Sequence, residues 1–142
     1  MSNSKSKIIY DSNLIKVMTF FESITKTQLK DCFIENGTIY FVVEPENMGK
    51  AIGKSGANIK RIESLLKRRT RVIESSTDLA TFIKNLIYPL TAKQIDVEGD
   101  KVTIKGHDTK TKAMLIGRNS SNINSYKEII KRYFEIKELK VI

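Results

Sequence analysis

Cysteine and histidine are nearly missing from this chain: Cys32 and His107 are its only examples. A lone thiol excludes an internal disulfide framework and a cysteine metal cluster, and fits a reducing compartment. A lone imidazole leaves Ser-His-Asp catalysis and zinc coordination almost without raw material, so neither a catalytic nor a metal site is expected. Tryptophan is absent. No apolar run approaches the ~20 residues of a membrane span. The opening "MSNSKSKIIY" has basic residues but no apolar segment of signal-peptide length. These absences point to a cytoplasmic protein without a membrane segment.

Positive charge is what the chain has in surplus. Twenty-five Lys and Arg stand against sixteen Asp and Glu, a net +9, with an isoelectric point near 9.6. Such a balance suits a polyanionic partner. The charge is also clustered. Residues 50–71 hold eight basic side chains against Glu63 alone.

The hydrophobic pattern gives an order of elements. Leu14, Val17, Met18, Phe21 and Ile24 recur at helical spacing. "TQLKDCFIENGTIYFVVE" holds two apolar runs around Asn36-Gly37, a strong hairpin signal, with Cys32 as a small core residue. "NMGKAIG" predicts a short helix ending at Gly53. "ANIKRIESLLKR" predicts a longer one with Ile59, Ile62, Leu65 and Leu66 on one face, and "RTRVIES" a strand. The order α-β-β-α-α-β then repeats. "STD" at 76–78 caps a helix with the stripe Leu79, Phe82, Ile83, Leu86 and Ile87. A hairpin turns at Gly99-Asp100, with Ile95, Val97, Val102 and Ile104 alternating. "TKTKAMLIG", "SNINSYKEIIKRYF" and "IKELKVI" complete the second set. Met48 and Met114 suit core positions, and His107 a solvated turn.

The repeat goes beyond periodicity. At an offset of 64 residues, Ile52 and Gly53 match Ile116 and Gly117, Asn58 and Ile59 match Asn122 and Ile123, and Lys67-Arg68 match Lys131-Arg132. Apolar periodicity alone would not align the Gly, the Asn and the basic pair. Two units are therefore expected, at 10–76 and 77–142, behind a flexible tail at 1–9.

Each unit carries a glycine turn between a short and a longer helix. In the first the turn is Gly53-Lys54-Ser55-Gly56. Glycine lets a phosphate approach closely, and the first N–H groups of the following helix favour an anion. Lys54 adds charge and Ser55 a hydroxyl. "MGKAIGKSG" also invites comparison with a nucleotide-hydrolysing P-loop, but Met48 stands where that motif needs Gly. No cofactor and no enzymatic activity are expected, and a P-loop-like hydrolase is the remote alternative.

The element order and the G-x-x-G turn resemble a type II KH domain. "VVEPENMGKAIGKSGANIKRIESLLKRRTRVIE" resembles the first KH unit of archaeal NusA-like transcription factors, and the tandem fits that family across nearly the whole chain. The resemblance implies an α+β fold of two tandem KH domains, each a three-stranded sheet packed on helices. It implies binding of single-stranded RNA, with Gly53, Lys54, Ser55 and Gly56 at the phosphates. Lys50, Lys60 and Arg61 would reinforce them, and Ile52 and Ile59, with Val72, would lie under the bases. The second turn, Gly117, Arg118, Asn119 and Ser120, has Ser in place of the second Gly, which makes it either a weaker clamp or a support. Lys67-Arg68-Arg69 is either a solvated helix end or an outer part of the RNA track. The family implies termination or antitermination on nascent RNA, with RNA polymerase as a partner by resemblance alone; a monomer is expected. The alternative is a ribosome-associated or RNA-processing KH protein.

Overall fold

A computed structural model describes residues 12–142. The tail expected at 1–9 lies outside the described residues. The chain forms two compact units, with the boundary between Ser76 and Thr77.

The first unit opens with α1 (Ser12–Thr25) and the hairpin β1 (Asp31–Glu35) and β2 (Thr38–Val43). It continues with α2 (Met48–Ile52), α3 (Ala57–Leu66) and β3 (Thr70–Glu74). Asn36 and Gly37 both take positive φ, 50° and 81°, which matches the twist of the two strands they join. β2 is the central strand, antiparallel to β1 and parallel to β3. A parallel pair cannot be closed by a tight turn. The chain must cross over the sheet, and α2, the glycine turn and α3 are that crossover.

The core of this unit gathers Phe21, Cys32, Ile39, Phe41, Val43, Ala51 and Ile62. Phe21 of α1 stacks on Phe41 of β2 with ring centroids 4.2 Å apart. Ala51 is fully buried, and its small side chain lets α2 lie close to the sheet. Leu14, Val17, Met18 and Ile24 pack against the same cluster, so the α1 stripe reads as expected. α1 stops without glycine: Lys26 takes φ 59° and its N–H reaches the Glu22 carbonyl at 2.9 Å.

The second unit repeats the order with α4 (Leu79–Ile87), β4 (Ala92–Glu98), β5 (Lys101–Gly106), α5 (Thr109–Ile116), α6 (Ser121–Lys131) and β6 (Glu138–Val141). β5 is central, antiparallel to β4 and parallel to β6. Phe82, Ile83, Leu86 and Ile87 of α4 are buried, with Val102, Ile104, Leu115, Ile129 and Ile130. Phe82 meets the rings of Tyr133 and Phe134 at 5.3 and 5.6 Å. Asp78 caps α4 as "STD" suggests, accepting from the Thr81 N–H at 2.9 Å and the Thr81 hydroxyl at 2.7 Å. Asp108 caps α5 through the Thr111 N–H at 2.7 Å.

Three side chains depart from their expected places. Leu65 is exposed, because Ile62 and Leu66 already fill the seam that α3 presents to the core. Met114 is exposed, and its neighbour Leu115 takes the buried position of α5. Met48 does pack against the core. Val97 is exposed near the end of β4, an edge strand of its sheet. Cys32 is buried and His107 exposed, as the sequence suggests.

Candidate nucleic-acid interface

The glycine turn begins where α2 ends. The Gly53 N–H closes α2 on the Gly49 carbonyl at 2.9 Å, and the Gly56 N–H then returns to the Gly53 carbonyl at 3.0 Å. Gly53 sits at φ 80°, ψ 167°, a region essentially reserved for glycine. A second requirement acts at the same atom. A Cβ on Gly53 would lie 2.8 Å from the Asn58 backbone nitrogen and 2.9 Å from its side-chain Cγ.

Ser55 (φ 54°, ψ 28°) and Gly56 (φ 75°, ψ 17°) are both left-handed, and the Ala57 N–H donates to the Lys54 carbonyl. These are the angles of a type I′ turn, whose central pair is best filled by Asn-Gly. The turn delivers the chain straight into α3. Among the described residues, the N–H groups of Lys54 and Ser55 have no protein acceptor. Two successive free amides therefore lie beside the positive end of a ten-residue helix.

Four positive residues lie in the turn or on the helices that flank it. Lys50, Lys54, Lys60 and Arg61 are exposed. None of the four forms an ion pair among the described residues. Lys60 runs alongside the turn: its Cε would be 3.7 Å from a Cβ built on Gly56. Arg61 lies on the exposed surface of α3, and among the described residues no hydrogen bond or ion pair of its side chain ties it to the turn. Ile52, Ile59 and Val72 are half-buried. Among the described residues no three His, Cys, Asp or Glu side chains gather as a metal site.

The basic run at the far end of α3 divides. Lys67 is the left-handed helix cap. Arg68 donates through Nε to the Gly37 carbonyl at 3.4 Å, which ties the helix end to the β1–β2 hairpin. At 1.5 Å per residue this end lies about 15 Å along the helix from the turn.

The second turn reproduces the first. Gly117 takes φ 77°, ψ 170°, Asn119 φ 55°, ψ 33°, and Ser120 φ 61°, ψ 21°. Ser120 has not bent the backbone away from the path taken by Gly56. Arg118 is exposed and, like Lys54, outside any ion pair among the described residues. The amides of Arg118 and Asn119 are likewise without a protein acceptor among them.

Asn58 is the residue whose part the sequence concealed. Its side-chain amide donates to the Lys50 carbonyl at 2.7 Å. Asn122 does the same to the Met114 carbonyl at 2.8 Å. The Asn-to-Asn match in the repeat was the only trace of this.

The surroundings do not suit a P-loop. That device is a loop between a strand and a helix, whereas residues 48–52 are helical and the turn joins two helices.

Comparison with known proteins agrees with this geometry. Residues 17–84 match the KH domain family, a stretch running from α1 through the turn into α4. The "Probable transcription termination protein NusA" of Methanococcus vannielii is 30% identical over 128 residues, covering 88% of this chain and 74% of that protein. The protein of the same name from Methanocaldococcus jannaschii is 29% identical over 140 residues, covering 96% and 76%. That of Thermoplasma acidophilum is 26% identical over 139 residues, covering 96% of each. The crystal structure of APE1850 shares the fold, with a TM-score of 0.71 at 24% identity, over 90% of this chain and 96% of that one. With the glycine turn, the crossover that carries it and relatives spanning most of its length, the chain belongs to the archaeal NusA family.

Proposed function

We propose that this protein binds single-stranded RNA through two KH units, 10–76 and 77–142, and acts on nascent transcripts in termination or antitermination. The observation that carries the reading is the turn at 53–56. It combines the start of α3 with successive amides that are free, and lysines outside any ion pair, among the described residues. An RNA strand offers the matching partner, a row of phosphates beside accessible bases.

In this reading Gly53, Lys54, Ser55 and Gly56 hold the phosphates. Lys50, Lys60 and Arg61 reinforce the field. Ile52 and Ile59, with Val72, give the bases an apolar floor. Gly117, Arg118, Asn119 and Ser120 form the second clamp. Its backbone matches the first to within a few degrees at Gly117 and Asn119, which favours a binding role over mere support. The protein is a binding module and not an enzyme. The transcription role follows the names of its relatives, and RNA polymerase is the partner that role calls for.

Cross-linking in cells followed by sequencing of the bound RNA tests the assignment. Nascent transcripts should dominate, and polymerase should co-purify. Enrichment of ribosomal RNA with ribosomal particles, and no polymerase, would replace it with a role in ribosome assembly or RNA processing.

A further inference from the structure

We propose that Asn58 and Asn122 are positioning residues that hold the two glycine turns in their binding geometry before any RNA arrives. This rests on the reading of the turns as RNA-backbone clamps.

The turn's own bonds, from the Gly56 N–H to Gly53 and the Ala57 N–H to Lys54, hold a strained backbone. Ser55 sits in the left-handed region without being glycine, and Asn119 and Ser120 both do so in the second unit. Such residues persist only where their surroundings over-determine them. The brace is visible in both units. The Asn side chain lies at the second position of the longer helix and reaches eight residues back to a carbonyl in the last turn of the short one. Carbonyls at a helix end lack an in-helix donor, so the amide finds an acceptor that would otherwise need water. The bond ties the end of one helix to the start of the next and spans the turn between them.

The glycine that opens each turn belongs to the same device. A Cβ on Gly117 would come within 2.8 Å of the Asn122 nitrogen and 2.7 Å of its Cγ, as at Gly53 and Asn58. Between the two copies the brace is identical, Gly with Asn. The three residues it spans differ, Lys54-Ser55-Gly56 against Arg118-Asn119-Ser120. The scaffold is common and the surface offered to the ligand is not. The bond is solvent-exposed in both units, so its loss should cost modest stability and act mainly on the turn.

The test uses the full chain and a short fluorescein-labelled single-stranded RNA of mixed sequence. Asn58→Ala should weaken binding by about three- to tenfold, the effect of one hydrogen bond. It should leave the slope of log K against log salt unchanged, because no charge is lost. Amide hydrogen exchange at Gly53, Gly56 and Ala57, whose N–H groups are bonded at the turn, should quicken in the RNA-free variant. Unchanged affinity in a folded Asn58→Ala protein, with Lys54→Asp/Ser55→Asp still impaired, overturns the inference and leaves the clamp standing. If Lys54→Asp/Ser55→Asp also binds normally, the clamp reading itself falls. Should Asn58→Ala not fold, relaxation dispersion on the free wild-type protein decides. A single turn conformer sustains preorganisation, and exchange among several contradicts it.

Discussion

Ser120 and Gly56 hold nearly the same backbone conformation, φ 61°, ψ 21° against φ 75°, ψ 17°. One is at ease there and the other is strained. A left-handed residue with a Cβ costs roughly 1–2 kcal/mol, less for Asn. The two turns carry complementary halves of the favoured Asn-Gly pair. The first has Ser55-Gly56 and the second Asn119-Ser120. Ser55→Asn and Ser120→Gly would each complete it. Each should raise stability by about 1 kcal/mol, read as a shifted midpoint in chemical denaturation with an unchanged slope.

The glycines of "MGKAIGKSG" should answer differently to alanine. Gly53→Ala meets both a forbidden φ and the Asn58 backbone. It should lose roughly 1–3 kcal/mol from the backbone alone, and more from the clash. Gly49 is helical and exposed, with nothing within 4 Å of a built Cβ. Gly49→Ala should gain roughly 0.5–1 kcal/mol. Equal destabilisation by the two, measured by denaturant unfolding, would contradict the geometry.

Acid should loosen the fold through three carboxyls. The Ser75 hydroxyl, and then Lys30, hold Glu44 below its ordinary value. The Thr81 hydroxyl and N–H do so for Asp78, and the Thr111 N–H and hydroxyl for Asp108. A carboxyl depressed in the folded state contributes stability above its unfolded value, and that contribution is lost as pH falls through the folded one. The melting temperature should therefore drop below about pH 4. Asp78→Asn/Asp108→Asn keeps side chains that can still cap but removes their titration. The acid slope of Tm should flatten in that variant.

Much of this was legible in the sequence, for identifiable reasons. Val102 and Ile104 alternate with Thr103 and Lys105, the period of a strand with one buried face. Phe82, Ile83, Leu86 and Ile87 recur at helical spacing, and all four are buried. Periodicity gives the direction of an apolar stripe but not its width, so Leu65 and Met114 stand outside the core. Glycine marks a turn openly, whereas Ser55, Lys26 and Lys67 reach positive φ with nothing in their type to announce it. The Asn58 brace is a through-space bond to a backbone carbonyl. Since every residue has such a carbonyl, no pairing of residue types reveals it.

The central claim is that the turn at 53–56 grips RNA through its phosphates. Lys54→Asp/Ser55→Asp places two negative charges on that surface and touches no core residue. With about six phosphates neutralised, wild-type binding of single-stranded RNA should fall with log salt at a slope of about −4. The double variant, shown to be folded by its unchanged melting curve, should lose more than about tenfold in affinity and have a shallower slope. Wild-type affinity and slope in that folded variant would contradict the account.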